Sequence, residues 1–221
     1  MIKTVAFDVF GTLISTGTGS IDAVKTILNK RKRNDIDAKE FYTLWKKYHR
    51  ENITEHGFIT EEESYLLALK RLYNEFLING DAIKDITVMT DSFYNRTAFP
   101  ESKSTVEYLM KRYDVCVASN TDNMPLKNNL SKNGMSFKRI YTSETLRLYK
   151  PDRRFYEFIL NDLNISENEL LFVGDSLIDD VYGPSKVGIK TCHVNRKGTE
   201  YTDIMPDFSV SDLNDLLTLV L

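Results

Sequence analysis

Short apolar runs mark both ends of this chain, and its middle follows a different rhythm. Thr4–Phe7, Val115–Ser119, Leu170–Val173, Lys190–Val194 and Phe208–Val210 are compact, β-rich and taken together mostly apolar. Such continuity predicts strands buried on both faces, as in a parallel sheet. Between most of them lie stretches with helical spacing, Ser102–Arg112, Asp152–Leu163 and Leu177–Val187. Strand, helix, strand in this order predicts an α/β fold: a parallel sheet with helices on both faces.

From about Ser15 to Phe99 no strand is visible. Four amphipathic stretches take its place: Ile21–Lys32, Ala38–Glu51, Glu61–Leu77 and Asp81–Arg96. In the third, Tyr65, Leu66, Leu69, Leu72, Tyr73 and Phe76 recur at the spacing of one helix face, and Thr60 with Glu63 forms a capping-box signature at its start. The expectation is an all-helical domain over 15–99, inserted directly after the first strand. The α/β core then comprises 1–14 and 100–221.

With 42% hydrophobic residues, a chain of 221 can bury a substantial core. Its 29 basic and 32 acidic side chains are near balance, which argues against a dedicated nucleic-acid or membrane binder. No apolar run approaches the roughly 20 residues needed to span a bilayer. Met1-Ile2-Lys3-Thr4 leads straight into a strand with no secretory signature, so the expected location is cytoplasmic. Cys116 and Cys192 fall inside apolar runs and are expected as reduced core residues. The basic run Lys30-Arg31-Lys32-Arg33 follows an apolar helix and is expected to be a solvated helix end. Gly17 and Gly19, in the loop after the first strand, suggest a mobile lid.

In an open parallel sheet, ligands sit at the carboxyl ends of the strands. After the first apolar run comes Asp8, with Gly11 and Thr12 in the turn. After the second come Ser119 and Asn120; after Leu170–Val173 come Gly174-Asp175-Ser176, with Asp179 and Asp180 close behind. Lys150-Pro151-Asp152 opens a helix, with proline expected in its first turn. Each feature alone has an ordinary explanation, a turn or cap for the acids and a solvated surface for the lysine. Together at one sheet edge they predict a carboxylate cluster that needs a cation, and oxygen ligands suit Mg²⁺. Lys150 would add a second positive charge, Ser119 a hydroxyl for a phosphoryl oxygen, and Asp8 the nucleophile.

These stretches resemble the motifs of the haloacid dehalogenase-like hydrolase superfamily, and the resemblance covers nearly the whole chain. "FDVFGTL" is similar to the first motif, which implies Asp8 as nucleophile, Thr12 as its support and Gly11 at the substrate. "ASNT" is similar to the second, implying that Ser119 and Asn120 meet the substrate, and "LYKPDRRFYE" to the third, with Lys150. "FVGDSLIDDVYGP" is similar to the fourth, implying metal ligation by Asp8, Asp175, Asp180 (Asp179 if the register slips by one) and the backbone carbonyl of Phe10. The resemblance implies a Rossmann-like core and makes the helical insert a C1-type cap.

One residue departs from the phosphatase pattern. Most phosphatases of the superfamily carry a second acid, the one that protonates the leaving group, where this chain has Phe10. An aromatic there resembles the L-2-haloacid dehalogenases, which work without metal and usually carry Ser-Ser-Asn in place of Gly174-Asp175-Ser176. Under that reading Tyr156 and the cap residue Lys46, from "LWKKYHRE" and in place of an arginine, would join the site. Three readings are open: a Mg²⁺-dependent phosphatase of a small phosphorylated metabolite, a metal-independent 2-haloacid dehalogenase, and a weakly active regulatory protein. A phosphatase lacking the general acid, typically worth 10²–10⁴-fold, should favour aryl or acyl phosphates, whose leaving groups need no proton. The expected partner is a small molecule, with neither nucleic acid nor membrane involved, and the oligomeric state is open.

Overall fold

The computed structural model describes residues 1–55 and 57–219. The chain divides into two compact units: Met1–Ser15, Thr97–Asn120 and Leu130–Leu221 in one, Thr16–Arg96 and Thr121–Asn129 in the other.

The first unit is built on six parallel strands: β1 (Thr4–Phe7), β2 (Asp114–Ser119), β3 (Ile140–Thr142), β4 (Leu170–Gly174), β5 (Lys190–Val194) and β6 (Phe208–Val210). Their order is β3-β2-β1-β4-β5-β6, a Rossmann-like arrangement. Central β1 pairs Phe7 with Val117 on one side and with Val173 on the other. The direction of winding therefore reverses beside β1, which leaves the carboxyl ends of β1, β2 and β4 bordering one crevice. Ala6, Cys116, Ala118, Leu170 and Phe172 share a face with Phe155, Tyr156 and Ile159 in one buried cluster. Each large side chain buried there contributes about 1.5–3 kcal/mol.

The second unit contains α1 (Gly19–Lys30), α2 (Ala38–Glu55), α3 (Glu61–Glu75) and α4 (Ala82–Phe93) around Val24, Ile27, Phe41, Trp45, Leu69, Leu72 and Met89. Trp45, fully buried, donates its indole N–H to the Tyr65 carbonyl at 2.9 Å. The capping box forms: the Glu63 amide donates to the Thr60 hydroxyl, and the Thr60 amide donates to the Glu63 carboxylate at 2.8 Å. The basic run differs from its expectation. Arg31 Nε donates to the fully buried Asp85 at 2.5 Å, and Lys30 pairs with the same carboxylate at 2.9 Å. A buried carboxylate requires such partners, so this helix end ties α1 to α4.

Among the elements outside the sequence expectations are β3, only three residues long, and α6 (Asn123–Lys132), which follows α5 (Ser102–Leu109) and β2. Residues 121–129 cluster with the helices because Asp122 accepts the amides of Glu61 and Glu62, and Asn129 donates to the Phe93 carbonyl at 2.6 Å. Cys116 and Cys192 are free and buried, and burial pushes both thiols up to about 12.

Candidate active site

Asp8 is the first residue beyond β1, and its amide still donates to the Val173 carbonyl of β4 at 2.9 Å. The backbone thus delivers its carboxylate to the crevice. Oδ1 accepts from the Ser119 hydroxyl at 2.9 Å and from Lys150 Nζ at 2.9 Å. Oδ2 accepts only a longer bond from the Thr12 hydroxyl, 3.3 Å, and the same hydroxyl stands 3.4 Å from Asp175 Oδ1. The chain turns sharply here, with the amides of Leu13 and Ile14 both donating to the Val9 carbonyl. Gly11 has φ +105°, and a Cβ at this position would overlap the Asp175 carboxylate. Glycine is therefore required twice over, for conformation and for space.

Lys150 is almost wholly buried and sits between two acids. Its ammonium donates to Asp8 Oδ1, to Asp180 Oδ1 at 2.6 Å and to the Ala118 carbonyl at 3.0 Å. Burial alone would discharge it, but Asp180 and Asp8 more than offset that and raise its pKa. The Asn120 side chain fixes the lysine's backbone: its carbonyl accepts from the Lys150 amide at 2.7 Å, and its amide donates to the Lys150 carbonyl at 3.0 Å. Pro151 does not occupy the first helical turn as expected. It precedes Asp152, which caps α8 (Arg153–Leu163) by accepting from the Arg154 amide, and the Lys150–Pro151 peptide is cis. The short α7 (Ser143–Leu146) lies just upstream.

The helix expected over Leu177–Val187 begins instead as a π-helix, Leu177–Tyr182. Its wider turn carries Asp180 back under β4, where Oδ2 accepts from the Ser176 amide at 3.0 Å. A Cβ on Gly174 would overlap this carboxylate. Of the two neighbouring acids Asp180 reaches the cluster, while the Asp179 carbonyl accepts from the Tyr156 hydroxyl at 2.5 Å. Tyr156, fully buried on α8, thus holds the π-helix, and a Cβ on Gly183 would overlap its hydroxyl.

Ligand oxygens of Asp8, Asp175 and Asp180 all lie within 4.8 Å of one another. Burial, and then repulsion from Asp8, pushes the Asp175 carboxyl up to about 6. Burial likewise raises Asp180, against the pull of Lys150. Three acids facing one lysine crowd like charge into one crevice. An all-oxygen donor set of this kind can hold a hard divalent cation, which would relieve that charge.

The structure thus brings together Asp8, Thr12, Ser119, Lys150, Asp175 and Asp180, with Gly11 and Asn120 shaping the cluster. Phe10 is half-buried in the same turn, its backbone bridged to Ile14. Lys46 belongs to the helical unit, exposed on α2, with its ammonium 5.0 Å from the Tyr42 ring.

Two residues, one near the end of β5 and one just beyond it, were not foreseen. His193 is buried, and burial lowers its pKa. The neutral ring donates from Nε2 to the Asp175 carbonyl at 3.0 Å and accepts from the Tyr201 hydroxyl at Nδ1, 2.8 Å. Arg196 donates to the Thr12 carbonyl at 3.1 Å. Arg196 stands two residues beyond the Lys190–Val194 run, a signal of the same kind as the polar residues after the other strands.

Residues 5–194 match the haloacid dehalogenase-like hydrolase family, and the chain belongs to it. It is a hydrolase of that family. Among curated relatives, it is 24% identical to (S)-2-haloacid dehalogenase 4A of Burkholderia cepacia over 99% of this chain and 95% of that protein. It is 27% identical to the pyrimidine 5'-nucleotidase PynA of Streptococcus pneumoniae over 97% of this chain and 93% of that protein. The magnesium-bound crystal structure of the putative HAD-hydrolase YfnB from Bacillus subtilis superposes with a TM-score of 0.84 at 20% identity, covering 99% of this chain and 98% of that one.

Proposed function

We propose that this chain is a Mg²⁺-dependent phosphatase acting through Asp8 on small phosphorylated metabolites whose leaving groups need no proton. The observation carrying this reading is the Asp8–Asp175–Asp180 cluster with Lys150 bridging two of its members. A haloacid brings its own carboxylate, which three acids and one lysine would repel. A phosphoryl group accompanied by a divalent cation restores the charge balance. Two relatives support the phosphoryl and magnesium chemistry, though not the choice of leaving group: PynA is a nucleotidase, and YfnB holds magnesium.

Asp8, Asp175 and Asp180 would hold the ion, together with the Phe10 carbonyl, and the ion would supply electrostatic stabilisation of the phosphoryl oxygens. Ser119 and Lys150 orient the Asp8 carboxylate, and Lys150 stays charged throughout. A carboxylate oxygen of Asp8 attacks phosphorus as the bond to the leaving oxygen breaks, and the leaving group departs as a carboxylate or phenolate. Water then attacks phosphorus, the P–O bond to Asp8 breaks, and both protons of the water leave on dihydrogen phosphate.

Phe10 supports a second reading. An apolar side chain where phosphatases carry an acid suits a metal-independent 2-haloacid dehalogenase, the activity of the Burkholderia cepacia relative. The deciding experiment measures phosphate release from aryl and acyl phosphates with Mg²⁺ and with chelator, with Asp8→Asn as blank. Release that needs both Mg²⁺ and Asp8 is expected. No release, with halide freed from 2-chloropropionate in chelator, would replace this reading with the second.

A further inference from the structure

Thr12 depends on something outside its own turn. Its hydroxyl meets two carboxylates at 3.3 and 3.4 Å, both near the limit of a hydrogen bond, so small backbone shifts would lose one or the other. Its carbonyl is held from across the sheet. Arg196, from the loop after β5, directs Nη2 to that carbonyl at 3.1 Å and to the Glu101 carboxylate at 2.7 Å. The guanidinium lies 3.7 Å from the Phe99 ring centroid, and its Nε is buried with no hydrogen-bond partner.

The surroundings of this guanidinium are themselves fixed. The Asn195 side chain bonds both peptide groups of Thr199, at 2.7 and 2.9 Å, closing the loop that carries Arg196. On the other side, the Leu13 carbonyl accepts from the Phe99 amide at 3.0 Å and from the Ser102 hydroxyl at 2.7 Å. Arg196 therefore clasps the segment leaving β1 against the segment that returns to α5. Burying a charge with one donor unsatisfied is costly, and an apolar residue would serve packing alone at least as well.

We infer that Arg196, paired with Glu101, is a positioning residue that sets the Thr12 hydroxyl between Asp8 and Asp175. The inference rests on the reading of Asp8 as nucleophile. Arg196→Met keeps an unbranched apolar stem but removes the planar fork, and Arg196→Lys keeps the charge on Glu101 while losing the stacked geometry. With an aryl phosphate and Mg²⁺, R196M should lose about tenfold or more in kcat with KM within about twofold. R196K should recover part of the loss. Both assays are run well below each variant's Tm, so that unfolding does not mimic the effect.

Folded R196M with kcat within about twofold of wild type would overturn the inference. If R196M does not fold, R196K decides: lower kcat at unchanged KM supports it, and wild-type kcat refutes it. Should the wild type release no phosphate, the phosphatase reading fails by itself. Crystal structures of wild type and R196K then settle the positioning role. A Thr12 hydroxyl displaced from one carboxylate supports the role, and an unmoved Thr12 contradicts it.

Discussion

Phe10 limits what Asp8 can complete unaided. Beside Asp8 the remaining acids, Asp175 and Asp180, belong to the charge cluster, and Lys150 is committed to two carboxylates. With a cation held by Asp8, Asp175 and Asp180, a leaving alkoxide would find no proton among them. Phe10→Asp should therefore raise kcat/KM on alkyl phosphates by about tenfold or more, toward the usual worth of a general acid, and change aryl phosphates little. Unchanged alkyl-phosphate turnover in a folded, Mg²⁺-responsive variant would refute this. At this scale the sequence was legible where a side chain follows an apolar run: Asp8, Ser119, Asp175 and Asp180 all do, and all meet. His193 and Arg196 escaped notice because each acts on a backbone carbonyl, of Asp175 and Thr12. A carbonyl has no letter of its own in the sequence. Tyr156 would join the site under the dehalogenase reading, and its hydroxyl donates to the Asp179 carbonyl.

Elements with strong periodicity were equally legible, and those set by local geometry were not. The Thr60–Glu63 capping box forms as its spacing predicts. The π-helix at Leu177–Tyr182 is apolar and acidic in a pattern that an α-helix would also satisfy, and what distinguishes it is tertiary: Lys150 and the Ser176 amide on Asp180, and the Tyr156 hydroxyl on the Asp179 carbonyl. Strand β3 is too short for a period of two to register. In the helical unit, Lys30 and Arg31 stand where a solvated helix end was expected, but they answer the Asp85 carboxylate, more than fifty positions away. Burial pushes Asp85 up, yet Arg31, Lys30 and the Tyr73 hydroxyl together hold it at about 2, below the ordinary 3.8. Over that interval the unfolded chain takes up the proton more readily than the folded one. The contribution is thus complete above about pH 4, worth on the order of 2 kcal/mol, and is lost as pH falls through about 2. Denaturant titrations of wild type and Asp85→Asn across pH 2–5 should show the wild-type advantage shrinking toward acid. A constant difference would refute the linkage.

For the whole molecule, the parallel order β3-β2-β1-β4-β5-β6 accounts for why residues separated by up to 172 positions, Asp8 to Asp180, share one crevice. The rule that ligands meet at the carboxyl ends of such strands made that convergence predictable without the strand order. Near balance of charge, 29 basic against 32 acidic side chains, says little about the substrate, because the charge that matters is local: three carboxylates and one lysine. No helix among the described residues is long and apolar enough to cross a membrane. The central claim is that Asp8 itself takes the phosphoryl group. Its most direct test mixes the protein with an aryl phosphate and Mg²⁺, quenches in acid within the first turnover, and maps the digest by mass. A peptide containing Asp8 should be heavier by one phosphoryl group, and the addition should vanish with chelator or in Asp8→Asn. Product formed while Asp8 stays unmodified, or an Asp8 ester formed from a 2-haloacid without metal, would contradict it.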